Sequence, residues 1–407
     1  MSRIEELVAE LCPNGVPVHR LGDIATMLRG NGMPKTMLLD AGVGAIHYGQ
    51  IYTKYGTWAE ETLSFVSEDD AKKLTRADPG DLIITNTSEN LEDVGKAVAW
   101  LGESSIVTGG HATVIKHKFE SKFLAYWFQT PDFYTQKKKL ATGTKVIDVS
   151  AKKLEQVMVP VPPLEIQREI VRILDTFSKM EAELEAELEA RKQQYEHYRV
   201  SLLTSVESAK WSTLGDISSR VSTGATPKAG KPEYYRDGTI PWLRTGEVTF
   251  GEVFDTEIKI TDQALKETGT SWIKENCVIV AISGATAARS AINKIPLTTN
   301  QHCCNLQIDE SLANYRFVFF WVSSKYEELK SLGRGARSDL NTKIIKDFPI
   351  PVPSLEEQAR IVGILDKFDA LVNDLSIGLP AELAVRRQLY EYYRDSLLTF
   401  EELEPAS

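Results

Sequence analysis

Across residues 164–203 apolar side chains return every fourth and then every third residue for about eleven turns, and few folds can hold such a segment. The seam runs Ile166, Ile170, Ile173, Phe177, Met180, Leu184 and Leu188, passes through Arg191 as its one polar member, and ends on Tyr195, Tyr198 and Leu202. Glu, Lys and Arg fill the faces between. The pattern predicts a long helix lying against another long helix.

The rhythm breaks once, where Met180, Leu184 and Leu188 follow at two steps of four. There Glu181-Ala182-Glu183-Leu184 is followed by Glu185-Ala186-Glu187-Leu188. Four inserted residues add about 6 Å of rise and roughly 400° of rotation, so the seam returns nearly to the face it left. Such a helix can be lengthened by fours without losing its packing, as a spacer requires.

The same segment has a second copy downstream. Pro160-Val161-Pro162-Pro163-Leu164-Glu165-Ile166-Gln167 recurs as Pro351-Val352-Pro353-Ser354-Leu355-Glu356-Glu357-Gln358. Ile170-Val171-Arg172-Ile173-Leu174-Asp175-Thr176-Phe177 recurs as Ile361-Val362-Gly363-Ile364-Leu365-Asp366-Lys367-Phe368. Gln193-Gln194-Tyr195-Glu196-His197-Tyr198-Arg199 recurs as Gln388-Leu389-Tyr390-Glu391-Tyr392-Tyr393-Arg394, and Leu21-Gly22-Asp23-Ile24 as Leu214-Gly215-Asp216-Ile217. The chain is two copies of one plan, a globular head and then a long helix. Its segments are 1–18, a first head at 19–163, a central helix at 164–206, a second head at 207–354, and a distal helix with tail at 355–407.

Ser354 with Glu357 reads as a capping box, and Gly378 with Pro380 predicts that the distal helix kinks or restarts near Leu379. In the heads, Asp81-Leu82-Ile83-Ile84-Thr85, Ala112-Thr113-Val114-Ile115 and the run from Cys277 to Ile282 read as buried strands. Residues 122–129 and 315–324 read as helices, which makes each head mixed α/β. Outside these motifs the heads barely resemble one another, and a frame with two unlike heads suits a bipartite, asymmetric target.

Composition narrows the function. The chain has 407 residues, a mean hydropathy of −0.22 and no apolar run long enough to span a bilayer; its first twenty residues lack a signal-peptide core, so a cytoplasmic protein is expected. The net charge of −10 argues against simple nucleic-acid binding. Its distribution reverses that: the helices and termini carry −11, which leaves the two heads together at +1.

With these motifs the chain resembles the specificity subunit of type I restriction-modification systems over nearly its whole length. The opening Leu11-Cys12-Pro13-Asn14-Gly15-Val16, the Leu-Gly-Asp-Ile pair and the doubled helix motifs carry the resemblance, and the tandem tetrapeptide points to the IC branch. The resemblance implies two α/β target-recognition domains joined by two long antiparallel coiled-coil helices in a pseudo-two-fold repeat. It implies a subunit that is not itself an enzyme, each domain reading half of a split site in double-stranded DNA. Two modification subunits, which bind S-adenosylmethionine and methylate adenine at N6, would dock on the helices, and two restriction subunits using ATP and Mg²⁺ would join them.

Loops with Gly beside Arg or Lys, and exposed Asn or Gln, are the candidates for phosphates and base edges. In the first head they are Arg29, Asn31, Gln50, Lys54, Lys138, Thr144 and Lys145, with Lys137 and Lys139 beside Lys138. In the second they are Lys228, Lys231, Tyr235, Arg236, Arg244, Arg289, Gln301, Arg334, Arg337 and Ser338. For Trp242 core packing is expected. On the helices, Gln167, Arg168, Arg172, Gln358 and Arg360 are candidates for the modification-subunit surface.

No Asn/Asp-Pro-Pro-aromatic segment is present to hold a flipped adenine. Residues 224–231 miss the spacing of a phosphate loop, with Pro232 where a hydroxyl would bind Mg²⁺. Glu257-Ile258-Lys259 is read as a solvated strand and not as a nuclease triplet. Cys303-Cys304 beside His302 is read as buried strand rather than a zinc site, and no metal is expected. Two rival readings remain open at the level of sequence: a diverged DNA methyltransferase or nuclease, and a coiled-coil scaffold without DNA binding.

Overall fold

The computed structural model describes residues 3–204, 209–333, 339–374 and 376–403. They pack as two units, Met1–Leu184 with Leu383–Ser407, and Glu185–Glu382.

In the first unit the head is built from β1 (Val18–Arg20), β2 (Thr26–Arg29), β3 (Val43–Ile46), β4 (Trp58–Ala59), β5 (Ser64–Val66), β6 (Thr75–Ala77), β7 (Leu82–Thr85), β8 (Ala97–Trp100), β9 (Ile106–Thr108), β10 (Ala112–Lys116) and β11 (Met158–Pro160). They make a five-stranded sheet in the order β2-β10-β7-β8-β4, a four-stranded sheet β5-β3-β9-β6, and the pair β1-β11. The central strand β7 is buried at every residue, as its unbroken apolar run requires.

The second unit repeats this order. Its strands are β12 (Lys210–Thr213), β13 (Ser218–Thr223), β14 (Ile240–Leu243), β15 (Glu252–Val253), β16 (Lys259–Ile260), β17 (Trp272–Ile273), β18 (Val278–Ala281), β19 (Ser290–Asn293), β20 (Leu297–Thr299), β21 (Cys303–Ile308) and β22 (Pro349–Val352). The sheets are β13-β21-β18-β19-β15, β16-β14-β20-β17 and β12-β22. Parallel pairs fall at the same places, β3 with β9 and β4 with β8, β14 with β20 and β15 with β19. Heads that look unrelated in sequence therefore share one plan. A buried strand asks only for apolar, ladder-compatible residues, so unlike sequences meet the same demand.

The helices that matter are α1 (Arg3–Leu11), α2 (Ser121–Trp127), α3 (Pro131–Leu140), α4 (Leu164–Thr204), α5 (Tyr315–Ser324), α6 (Leu355–Asn373) and α7 (Leu379–Leu397). The doubled motifs do the same work in each unit. Gln167 accepts the Glu120 N–H at 2.9 Å and donates to the Pro162 carbonyl at 2.7 Å; Gln358 accepts the Asn314 N–H at 2.7 Å and donates to the Pro353 carbonyl at 2.9 Å. Asp175 pairs with Lys122 at 2.7 Å, and Asp366 with Arg316 at 2.6 Å. Each glutamine and aspartate thus clamps a head to the start of the helix that follows it.

Helix pairing is antiparallel within each unit. In the first, Phe177 stacks on Tyr393 at 5.3 Å between ring centroids, and Glu181 pairs with Arg387 at 2.6 Å. In the second, Phe368 stacks on Tyr198 at 5.5 Å and Tyr195 donates to Asp369 at 3.3 Å. The tandem tetrapeptide lies inside unbroken α4, and the boundary between units falls at its junction: Leu184 is buried in the first unit, whereas Leu188 packs on the core of the second. Two seam positions differ from the expected pattern. Met180 and Tyr198 are exposed at 45% and 41%, while Leu174 and Leu203 are fully buried. An α-helix of 3.6 residues per turn drifts from a 3.5-residue seam, which moves burial to neighbouring positions.

The distal helix restarts at Leu379, as Gly378 and Pro380 predict. A Cβ on Gly378 would lie 2.4 Å from the Ala370 carbonyl oxygen, and Pro380 stands in the first turn of α7, where its missing N–H is not needed. Ser354 caps α6 by accepting the Glu357 N–H at 3.2 Å, but the Glu357 carboxylate pairs with Arg360 instead of closing the box. In the first unit Ile4, Leu7 and Val8 of α1 pack beside Leu397, Leu398 and Phe400, and Val16 forms a parallel bridge with Glu402.

Candidate nucleic-acid interface

At one end of the first head the loops after β2, β3, β7 and β9 converge. Gly30 donates to the Ala112 carbonyl at 2.8 Å, and a Cβ there would lie 1.8 Å from the Gly109 oxygen, so only glycine fits. After β3, buried His47 caps the turn Tyr48–Thr53: its Nδ1 accepts the Gly49 N–H at 3.1 Å, and its own N–H donates to Gln50 Oε1 at 3.0 Å. Burial holds the His47 pKa below the usual imidazole value, and the nearby charges of Lys35 and His111 add to this. His111 is exposed in a left-handed conformation (φ 69°), with its ring 5.0 Å from that of Tyr48 and its Nδ1 2.9 Å from Thr87 Oγ1. A short ladder of Thr87–Ser88 with Ile147–Asp148 then leads to the turn at residues 143–146.

Most sequence candidates of this head stand on that surface. Arg29, Asn31, Lys54, Thr144 and Lys145 are exposed. Gln50 is half-buried and braces the turn, its amide holding the His47 N–H at 3.0 Å and Ser64 Oγ at 2.7 Å. Lys138 is exposed on α3 and not in a loop. Lys137 is buried, donating to the Glu92 and Val94 carbonyls at 2.9 and 2.8 Å, and burial lowers its pKa to about 8. Its spacing of four from buried Phe133 was the signal that the lysine run overlooks.

In the second head, Lys228, Arg236 and Gln301 are exposed. Lys231 bonds to the Tyr234 hydroxyl at 3.0 Å, and the Tyr235 hydroxyl donates to the Pro227 carbonyl, so these two brace the loop. Arg244 pairs with Glu257 at 2.5 Å and lies 3.9 Å from Glu247. Arg289 is half-buried with its guanidinium 5.9 Å from the Phe250 ring centroid. Trp242 is buried, as expected. Arg334, Arg337 and Ser338 lie outside the described residues.

The model of the type I restriction modification DNA specificity domain matches this chain twice, at residues 13–191 and 207–385. The chain belongs to that family. It is 36% identical over 255 residues to the specificity subunit of the Escherichia coli type I restriction enzyme EcoR124I/EcoR124II, a match spanning 61% of this chain and 63% of that subunit. It is 29% identical over 332 residues to a putative type I restriction enzyme specificity subunit of Haemophilus influenzae, covering 78% and 82% of the two chains. Its fold matches a chain solved in a study of type I R-M system assembly with a TM-score of 0.69 at 15% identity, over 95% and 98% of the chains. It also matches a type I S subunit from M. genitalium, with a TM-score of 0.54 at 13% identity, over 94% and 96% of the chains.

For a type I specificity-family chain the helix surface is the second candidate site. Arg168, Arg172 and Arg360 are exposed, the last two paired at 2.7 Å with Glu169 and Glu357. Gln167 and Gln358 are buried with both ends of their amides engaged inside the chain, which removes them from any docking face. The sequence concealed this because they follow a Pro-Val-Pro run; at spacings of three and seven from Ile170 and Leu174, Gln167 shares the buried side. Cys303 and Cys304 are both fully buried and point into different apolar clusters, and burial pushes each thiol up to about 12. Among the described residues no group of three or more His, Cys, Asp and Glu is placed to hold a metal ion, and no helix is long and apolar enough to cross a membrane.

Proposed function

We propose that this chain is the non-catalytic DNA-specificity subunit of a cytoplasmic type I restriction-modification complex. Each head reads one half of a bipartite, asymmetric site, and the paired helices set the gap between the halves. One observation carries the reading: two heads of the same strand order, held by the same Gln and Asp clamps, present different side chains on corresponding loops. Two modification subunits dock on the helical surface, where Val385, Leu389 and Tyr392 expose an apolar stripe on α7 and Arg168, Arg172 and Arg360 add charge. S-adenosylmethionine belongs to those subunits, and ATP and Mg²⁺ to two restriction subunits.

The tandem tetrapeptide gives the test. Removing residues 185–188 takes about 6 Å of rise from α4, so the recognised gap shortens by about one or two base pairs, each worth about 3.4 Å per strand, with both half-site sequences kept. Sequencing methylated adenines in cells carrying the deletion reads this directly; an altered half-site with an unaltered gap refutes the spacer role. Purified chain with S-adenosylmethionine and plasmid DNA incorporates no methyl groups, and turnover without partners would overturn the non-catalytic reading.

A further inference from the structure

Because the strand order repeats, loops of the two heads can be matched by register instead of by sequence. Ala112 pairs with Thr85 at the end of β7, and Cys303 pairs with Ala281 at the end of β18. The residues before them, His111 and His302, therefore correspond. Their carbonyls accept the same bond, from Asn86 N–H and from Ile282 N–H, each at 2.8 Å. Thr108 opposite Ile46 and Thr299 opposite Leu243 likewise match His47 with Arg244 and Gly110 with Gln301.

The loops after β2 and β13 press on these same turns. A Cβ on Gly30 would lie 1.8 Å from the Gly109 oxygen, and one on Gly224 would lie 1.7 Å from the Thr299 oxygen. Each loop continues into a Pro-Lys whose lysine is exposed, with Lys35 five residues after Gly30 and Lys228 four after Gly224, so the lysines correspond by motif and not by register. Lys35 and His111 both act on His47. In the second head the Thr226 hydroxyl donates to Gln301, whose amide nitrogen is 3.1 Å from His302 Nε2.

Two heads that read different sequences still meet the same sugar-phosphate backbone. Exposed side chains held in common at matched positions suit what the half-sites share, and those that differ suit the base edges. We propose that Lys35 with His111, and Lys228 with His302, are matched phosphate-binding pairs, one in each head, and that Gln301, standing where the first head has Gly110, reads a base edge. This rests on the proposed reading of DNA by the heads.

The test uses the complex assembled with its modification subunits and labelled duplexes carrying either the methylated motif or a scrambled one, titrated between about 50 and 200 mM salt. The double variants are Lys35→Ala with His111→Gly, where glycine keeps the left-handed backbone, and Lys228→Ala with His302→Ala. Each weakens binding to both duplexes alike, by about tenfold, and flattens the slope of log affinity against log salt by about 1–2. Lys35→Arg and Lys228→Arg keep the wild-type slope. Gln301→Ala leaves the slope unchanged and relaxes one position of one half-site in the methylation motif. Loss confined to the cognate duplex, or an unchanged slope in folded double variants, overturns the phosphate pairs; an unchanged motif overturns Gln301. A wild-type complex that binds neither duplex defeats the specificity reading itself, whereas variants equal to a binding wild type defeat only this inference.

Discussion

The first head packs a lysine and a histidine into its interior, one toward either end, and the histidine's place is apolar in the second head. Lys137 ties down the loop that follows β7 through two carbonyls, and His117, with burial lowering its pKa to about 4, stands where the register puts Ile308 in the second head. At the base the heads are alike, clamped by Gln167 and Asp175 in one and by Gln358 and Asp366 in the other. The clamps are thus shared by the two heads, and the half-buried histidine toward the same end is not. At the base, backbone groups of two elements depend on one glutamine; at the tip, two loop carbonyls depend on Lys137.

This contrast can be broken at the base first. Gln167→Ala and Gln358→Ala each strand a buried N–H and a carbonyl, and each is expected to cost about 2–4 kcal/mol. Urea unfolding of the two variants should show similar losses; a cost below about 1 kcal/mol in either unit ends the equivalence of the clamps. The same end carries the second test, in which acid should separate the heads. A histidine whose folded pKa lies below its unfolded value of about 6.5 adds stability that is fully present above that pH and is lost as pH falls toward 4. Replacing it by the second head's residue, His117→Ile, should therefore spare the protein on the order of 2 kcal/mol of loss at pH 4.5 relative to neutral pH. Parallel melting curves for the two proteins would show the idea to be wrong. The smallest effect belongs to the helix surface: Arg360→Ala removes an exposed pair and should shift stability by less than about 0.5 kcal/mol, so any larger change in urea midpoint would mark a structural role.

Much of the frame is legible in the residues themselves. The doubled Pro-Val-Pro and Ile-Leu-Asp-x-Phe segments mark the two helix starts, Gly378 and Pro380 mark the restart, and the apolar runs at Leu82 and Val278 mark the central strands. The shared strand order was hidden because several strands have only two or three residues, and pairs such as Trp58 with Ala99 join segments far apart in sequence. At the tips, Lys35, His111 and, as a DNA contact, His302 escaped notice for the same reason. Thr-x-x-His is unremarkable until the register matches its two copies. Gln50, Lys137, Gln167 and Gln358 read as surface groups because side-chain polarity does not reveal which carbonyls lie within reach.

The bridge between Val16 and Glu402 bears on the order in which the protein is born. The unit formed by Glu185–Glu382 is one continuous stretch and is complete once that stretch leaves the ribosome, although its synthesis begins second. The unit begun first must wait, because α1 and the first head close against Leu397, Leu398 and Phe400, which are made after the second unit. A nascent chain whose residue 382 has just left the ribosome would therefore carry a finished second unit and an open first one, with Ile4, Leu7 and Val8 still lacking their cover.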